Sequence, residues 1–339
     1  MIAKLLFFFF LMISSLNADD VQARPTESSY HLGEGMKVAS LPLYLGGYFS
    51  LDYRNMQGEN RYRLDDIALL SYGNYNRFSY MAELEYKSFY VVNENKGKYT
   101  TTRDDSLHTE RLYVNYAVDE NYNFRVGKYS TQAGFWNLLP INVLRDTTSV
   151  PMSTNIIFPK FTTGVLLSYK SYNDASLNID VMIQNNRDLD AVYNNYKMDE
   201  HYGVGIGYEK DNLAVKFNFG LFDGLFANSR SQNLYYYMAS FKYTTEKIEL
   251  MGEVGSQKTS QVYTTKYAGY LQGAYHFTQE HTGVLRLESY DDRSLATKED
   301  IAIFGYSYRP LYPVSLKAEY QFHSIHKNNQ TMFSISVLF

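Results

Sequence analysis

The stretch FSYMAELEYKSFY, residues 78–90, alternates between apolar and polar side chains. One face of an extended chain would carry Phe78, Tyr80, Ala82, Leu84 and Tyr86. The opposite face would carry Glu83, Glu85 and Lys87. Successive side chains of a strand point to opposite sides, so this pattern predicts a strand with one apolar face and one charged face.

The same two-residue period recurs to the end of the chain. LYLGGYFSLDY, LNIDVMIQN, LAVKFNFGLF and MFSISVLF repeat it. Segments of about ten residues can cross a bilayer as tilted strands. We count sixteen of them, although the ambiguous registers of RLDDIALLSY and NLYYYMASFKY leave fourteen or eighteen possible. The predicted strands are residues 43–54, 61–73, 76–92, 107–118, 121–130, 160–171, 174–185, 199–209, 212–222, 233–244, 246–257, 264–277, 281–290, 299–309, 313–323 and 330–339.

The connections between these strands alternate in length. Seven are short: GNYN, DEN, YND, EKD, TEK, TQEH and RPLYP. Eight are longer, among them NENKGKYTTTRDDS, NNRDLDAVYNNYKMDE and HSIHKNNQ. Barrels of the bacterial outer membrane have short periplasmic turns and long extracellular loops. The pattern therefore predicts an all-β fold, a transmembrane antiparallel up-and-down β-barrel.

Charged residues occupy the second face of many strands. They carry both signs: Glu83, Glu85, Lys87, Arg111, Arg125, Asp180, Lys216, Glu249, Glu253, Arg286, Glu288, Lys317 and Glu319. Such charges would be costly in the dry core of a β-sandwich. They suit the lining of a water-filled lumen, and closure of the barrel removes the unpaired sheet edge that lipid does not tolerate.

The N-terminus and the composition indicate export. MIAKLLFFFFLMISSLNA has the layout of a secretory signal peptide, so we predict a signal peptide at residues 1–18, a periplasmic N-terminal segment at 19–40 and an outer-membrane barrel at 41–339. The chain has no cysteine, so it must be stable without disulfides. Its net charge of −4 gives no electrostatic case for nucleic acid. The 34 Tyr and 21 Phe suit surfaces between lipid and water.

One segment interrupts the alternation. GFWNLLPINVLRDTTSVPMSTNIIFPK, residues 134–160, holds the single tryptophan, Trp136, and three of the seven prolines. It follows the fifth predicted strand and is the longest loop. A loop lying against an inner wall could bury Phe135, Trp136, Leu138, Leu139 and Ile141, and the prolines would restrict its motion. An exposed loop that contacts a partner is the alternative.

The whole pattern resembles the porins of Gram-negative outer membranes. The resemblance lies in the signal peptide, the strand count, the tyrosines and the last strand FSISVLF, which ends in Phe339. It implies a constriction loop after strand 5, a homotrimer, and recognition of Phe339 by the barrel assembly machinery. FRVGKYSTQAGFWN is similar to the segment before the constriction loop of phosphate-selective porins. Since no excess of lumenal bases is visible, we carry over the general porin class and not the phosphate preference.

Candidate pore residues follow from this placement. Arg145 and Asp146 are the charges within the loop, and Trp136 is its third candidate. The wall residues that would face them are Glu83, Glu85, Lys87, Arg111 and Arg125. Rings of charged side chains set ion preference in channels.

We therefore predict a porin for passive diffusion of small hydrophilic solutes and ions. A substrate-selective channel, for example for anions or phosphate, and a structural or adhesive barrel with an occluded lumen are the alternatives. We predict no enzymatic activity, because serines and histidines are scattered without the nucleophile-elbow motif that a lipase would need. We also predict no cofactor. His323 and His326 are too few to indicate a metal site.

Overall fold

A computed structural model describes residues 30–38, 41–225 and 231–339. The predicted signal peptide and residues 19–29 lie outside this range. The described chain is almost entirely β-strand. Among its residues, the structure contains no helix with the length and apolar character needed to span a bilayer.

Twenty strands follow one another along the described chain. Their bounds are β1 (Tyr30–His31), β2 (Gly35–Lys37), β3 (Tyr44–Met56), β4 (Glu59–Tyr75), β5 (Phe78–Tyr86), β6 (Tyr90–Asn95), β7 (Lys98–Arg103), β8 (Leu107–Ala117), β9 (Tyr122–Ser130), β10 (Phe161–Lys170), β11 (Ser176–Asn185), β12 (Glu200–Lys210), β13 (Leu213–Leu225), β14 (Ser231–Thr244), β15 (Ile248–Lys258), β16 (Tyr263–His276), β17 (His281–Asp292), β18 (Thr297–Leu311), β19 (Val314–His323) and β20 (Gln330–Leu338).

Sixteen of these strands form a closed antiparallel barrel. The wall runs through β3, β4, β5 and β8 to β20 in order, and β20 returns to pair with β3, with Ser334 opposite Asp52 and Val337 opposite Phe49. The predicted fold class and strand count are confirmed. At the end of the barrel where the short turns lie, Phe339 exchanges two backbone hydrogen bonds of 2.7 Å with Gly47.

Four strands lie outside the wall. β1 and β2 form a small hairpin whose second strand pairs with the beginning of β3. β6 and β7 form a hairpin on the long-loop side, and β6 pairs with residues 59–64 of β4. The predicted strand at residues 76–92 was therefore too long: the barrel strand ends at Tyr86, and after a turn with Ser88 at φ +52° the chain leaves the wall.

The alternation of the sequence becomes the two faces of the wall. On β13, Phe217 and Phe219 are exposed on the outer surface, whereas Lys216 and Asn218 are buried inside. Ser50 and Asp52 on β3 are buried inside in the same way. Burial of polar groups inside an apolar exterior is what a protein surrounded by lipid requires.

Two β-bulges change which side chains face inward. On β4, Asp66 and Ile67 together lie opposite the single residue Phe49, and Asp66 adopts a φ of +51°. On β8, Arg111 pairs with Glu83 while Thr109 pairs with Leu84, so Glu110 is an extra residue. A bulge places an additional side chain on one face of its strand. Glu110 is consequently buried in the lumen, although strict alternation would point it outward.

Candidate functional site inside the barrel

The segment between β9 and β10, residues 131–160, lies inside the barrel. It contacts inward-facing side chains of β3 and of strands between β13 and β20. Its only regular pieces are two short 3₁₀ turns, Trp136–Leu138 and Asn142–Leu144, and a five-residue helix α1, Met152–Ile156. Most of its backbone groups must therefore find partners elsewhere, because buried N–H and C=O groups are rarely left unpaired.

The beginning of this loop is held by one carboxylate. Glu253 Oε1 on β15 accepts hydrogen bonds from the backbone N–H groups of Phe135, at 2.5 Å, and Trp136, at 2.9 Å. Gly134 makes this approach possible: its φ is +67°, and a Cβ there would lie 2.6 Å from Glu253 Oε1. Bonds from backbone N–H groups to an ionised acceptor are among the stronger hydrogen bonds in proteins.

Two further carboxylates hold the middle of the loop. Glu319 on β19 accepts from the backbone N–H of Thr148 and, at 2.5 Å, from the hydroxyl of Ser149. Glu288 on β17 accepts from the backbone N–H of Met152 at 3.0 Å, at the start of α1. Every second strand of this part of the wall thus supplies one acceptor.

Basic and amide side chains bind the loop's carbonyl groups. Lys317 Nζ donates to the carbonyl oxygen of Asn142 at 2.5 Å, Arg309 donates to that of Arg145 at 2.8 Å, and Gln257 donates to that of Ile157 at 2.9 Å. Glu253, Glu319 and Lys317 are nearly completely buried. On this side of the barrel the wall charges therefore bind the loop instead of facing water, which corrects our expectation of a solvated lining.

The apolar side chains of the loop pack against the wall. Trp136 is 2% exposed and meets the Tyr270 ring edge-on at 6.0 Å, with the Arg286 guanidinium 5.1 Å from its ring. Ile141 is also buried, as predicted. Leu138 is an exception, because it is exposed toward a 500 Å³ space at the short-turn end. Trp136 and Leu138 belong to the same short 3₁₀ turn. The turn places Trp136 against the wall and leaves Leu138 exposed.

A second long loop, residues 186–199, also reaches into the barrel. Asp188 Oδ1 lies 3.0 Å from Lys128 Nζ on β9. Asp190 Oδ2 lies 3.0 Å from His108 Nδ1 and accepts from the backbone N–H of Thr109 at 3.0 Å, both on β8. Burial raises the pKa of Asp190, but these hydrogen bonds outweigh burial, so the pKa lies below its ordinary value. The loop is thereby held against β8 and β9.

Between the two loops and the wall lies a cavity of about 350 Å³. Its charged lining comes from β3, β4, β5 and β8, from the turn after β5, and from the loop of residues 131–160. The acids are Asp52, Asp65, Asp66, Glu85 and Glu110, and the bases are Arg63, Lys87, Arg145 and Lys160. Tyr48 from the wall and Tyr193 from the second loop complete the polar part of the lining.

Comparison with known proteins identifies the architecture. The family described as beta-barrel porin-2, OmpL-like, matches residues 65–338. The chain belongs to this porin family. Its cavity is thus an internal space of an outer-membrane porin barrel.

Several solved structures share the fold of this barrel. The barrel is similar to the channel DcaP of Acinetobacter baumannii, with 12% identity, a TM-score of 0.59, and coverage of 90% of this chain and all of that one. It is similar to OmpF of Salmonella typhi in complex with daunomycin, with 13% identity, a TM-score of 0.61 and coverage of 88% and 97%. It is also similar to the anion-selective porin of Comamonas acidovorans, with 12% identity, a TM-score of 0.58, and coverage of 88% of this chain and 99% of that one. At these identities the likeness shows the fold alone. No curated protein matches the chain.

The porin brings four of the eight predicted pore residues together. Glu85, Lys87, Arg145 and Trp136 all line the 350 Å³ cavity. The other four are not part of the lining. Asp146 pairs with Arg309 at 3.1 Å.

The remaining three predicted residues are held by wall partners. Glu83 is buried in an ion pair with Arg111 and accepts from the Tyr48 hydroxyl at 2.7 Å. Arg125 donates to Asn115 Oδ1 at 2.6 Å and lies 4.2 Å from the Tyr113 ring. They form part of the wall and do not line the cavity.

Most of the polar lining was not predicted from the sequence: Tyr48, Asp52, Arg63, Asp65, Asp66, Glu110, Lys160 and Tyr193 are all absent from the predicted set. Glu110 faces inward only because of its bulge, which no alternation pattern reveals. Tyr193 belongs to a loop assumed to lie outside the barrel, and its tyrosine-rich stretch DAVYNNY was the available signal. Lys160 was counted as the first residue of a strand, but it precedes β10 and belongs to the inward loop.

Proposed function

We propose that this chain forms a water-filled channel for passive diffusion of small hydrophilic solutes and ions. The observation that carries this proposal is the cavity of about 350 Å³, with nine charged side chains in its lining. Charged and hydroxyl groups can replace part of the hydration shell of a passing solute, whereas apolar walls would exclude it. No bond is made or broken and no energy is supplied.

Two loops define the proposed constriction. The loop of residues 131–160 fills the space beneath β13–β20, and the loop of residues 186–199 approaches from the side of β8 and β9. What remains between them and β3–β5 is the narrow part of the path. A wider space of about 500 Å³ at the short-turn end would serve as its vestibule.

The cellular context belongs to the same proposal. Residues 1–18 would direct export, and the short-turn end with Phe339 would face the periplasm. A homotrimer is proposed as well, since OmpT of Vibrio cholerae, a structural neighbour with a TM-score of 0.54, is described in a trimer form. In this assembly the bilayer contacts the outer apolar faces of the strands.

Single-channel recording of the purified full-length protein in planar bilayers tests the proposal. Discrete conductance steps are expected. A chain that inserts but stays electrically silent would favour a structural or adhesive barrel with an occluded lumen, the alternative suggested by the deep burial of the loop. Cross-linking in detergent measures the oligomer separately.

Deletion of residues 135–158 tests the role of the loop. The barrel ladder does not depend on this segment, so folding should persist and the conductance should rise. Unchanged conductance would mean that the loop does not limit the path. Heat-modifiable migration on gels confirms that the deleted chain still forms a barrel.

A substrate-selective channel is the second candidate. It is favoured by three basic residues of the cavity that form no ion pair within the described part of the chain. Saturable block of the current by one class of solute would distinguish it from a general pore.

A further inference from the structure

Three cations of the cavity form no ion pair with any residue that the structure describes. Lys87, Arg145 and Lys160 all line it. Within the described ranges, 30–38, 41–225 and 231–339, no carboxylate oxygen lies within 4.0 Å of their charged nitrogens. Two bases on the opposite wall have different partners: Lys317 and Arg309 donate hydrogen bonds to backbone carbonyl groups of the loop.

Neutral groups hold two of these cations in place. Lys87 Nζ lies 4.6 Å from the centre of the Tyr193 ring. Arg145 Nε donates to the carbonyl oxygen of Leu139 at 2.6 Å, and its Nη2 donates to that of Pro140. Partial charges on carbonyl oxygens and a ring orient a cation but do not neutralise it. The third, Lys160, uses only its backbone groups in hydrogen bonds among the described residues.

Four of the five acids of the cavity have partners other than these three cations. Arg63 lies 2.7 Å from Asp52 and 2.8 Å from Asp65. The Tyr193 hydroxyl donates at 2.8 Å to Glu110 and is also in contact with Glu85. Each of these four carboxylates therefore has at least one partner within the protein, whereas Lys87 Nζ and Lys160 Nζ donate no hydrogen bond to any residue that the structure describes.

We propose that Lys87, Arg145 and Lys160 form a binding site for a small oxyanion, such as a carboxylate or a phosphate, at the narrow part of the barrel. This inference deepens the proposed function and rests on it. The site would make the channel prefer solutes that carry such a group.

The chemistry of the three side chains matches this ligand. A guanidinium offers paired N–H donors to two oxygens of one oxyanion, and two ammonium groups add rotatable donors. They come from three segments, namely the turn after β5, the inward loop and the residue before β10, so they can approach an anion from several directions. Burial lowers the pKa of Lys160 to about 7, and the positive charges of Lys87 and Arg145 add to this effect. A bound anion would offset that repulsion.

Binding is tested with inorganic phosphate as the probe. Isothermal calorimetry on the detergent-solubilised full-length protein at pH 6 measures its affinity without any need for conduction. We expect Lys160→Gln and Arg145→Gln each to weaken phosphate binding about tenfold, which corresponds to about 1.4 kcal/mol. Lys160→Arg keeps the charge and should bind phosphate within about twofold of the wild type.

Lys247→Gln is the matched control, because it removes a lysine from an exposed turn at the short-turn end, away from the cavity. Heat-modifiable migration on gels checks that each variant is folded. Equal phosphate affinity of wild type, Lys160→Gln and Arg145→Gln would overturn the inference.

Current recordings separate this inference from the proposed function. Phosphate block of the chloride current that is relieved in Arg145→Gln supports both. A conducting channel that binds no phosphate overturns the site and leaves the channel intact. Phosphate binding by a barrel that never conducts overturns the channel and leaves the anion site intact.

Discussion

The carboxylate of Glu253 accepts a hydrogen bond from the backbone N–H of Trp136 at 2.9 Å, although 117 residues separate them in the chain. The same oxygen accepts from Phe135, so one wall residue holds the start of the inward loop. Comparable contacts at Glu319 and Glu288 repeat this arrangement along the loop. The position of the loop therefore depends on a few charged groups of the wall.

Removal of the Glu253 carboxylate should loosen the loop. A hydrogen bond to a charged group contributes about 1.5–3 kcal/mol, and Glu253→Ala removes two of them. We expect larger open-channel current noise in Glu253→Ala and a smaller increase in Glu253→Gln, which retains an acceptor oxygen. Glu249→Ala is the control, since Glu249 lies on the same strand but pairs with Lys242. Noise as low as in the wild type would show that the loop does not need this anchor.

The hydroxyl of Tyr193 should influence ion preference. Tyr193→Phe keeps the ring beside Lys87 and Phe161 but removes the contacts with Glu85 and Glu110. The two carboxylates would then be freer to attract cations, so the cation-to-anion permeability ratio should increase. Reversal potentials in a potassium chloride gradient measure this ratio.

Tyr196→Phe provides the comparison within the same loop. Its hydroxyl donates to the carbonyl oxygen of Ile156 at 2.8 Å and does not touch the carboxylates. We expect its permeability ratio to equal that of the wild type. If both variants shift the ratio equally, the effect comes from loop displacement and not from the acidic pair.

The ion preference should change near pH 7. With a pKa of about 7, Lys160 is positive below this pH and neutral above it, so anion preference should fall as the pH rises from 6 to 8. Lys87, Arg145, Asp66, Glu85, Glu110 and Tyr193 face the same cavity. Their contribution is the pH dependence that remains in Lys160→Gln. Lys160→Arg should keep its anion preference up to pH 8, and a wild-type reversal potential that is flat between pH 6 and 8 would contradict the assignment.

The C-terminal residue should matter more for assembly than for stability. The Phe339 ring is 6.5 Å from the Phe49 ring, and its backbone pairs with Gly47. Phe339→Ala keeps that backbone pairing, so refolding into detergent should be nearly normal while the amount in the outer membrane falls. Phe333→Ala removes an exposed outer ring from β20, the strand that ends just before Phe339, and serves as the control. Equal membrane yields of the two variants would argue against a terminal signal.

The periodic part of the sequence was sufficient to predict the wall. Neighbouring side chains such as Glu83 and Leu84 point to opposite faces because a strand has a period of two. Because one face meets lipid and the other meets polar groups, this period appears in the sequence as alternating apolar and polar residues. The loop of residues 131–160 was also recognisable, because its apolar content needs a surface to cover. Trp136 and Ile141 lie against the wall as their hydrophobicity suggested.

The detailed lining of the cavity depended on contacts between distant parts of the chain. Glu110 points inward because a bulge shifts the register of β8 against β5, and such a shift results from the packing of both strands. Arg145 and Asp146 are neighbours in sequence, yet one lines the cavity and the other pairs with Arg309. Local pattern determines which face of a strand is polar. Which charges meet in space is set by how two loops fold back onto a closed barrel.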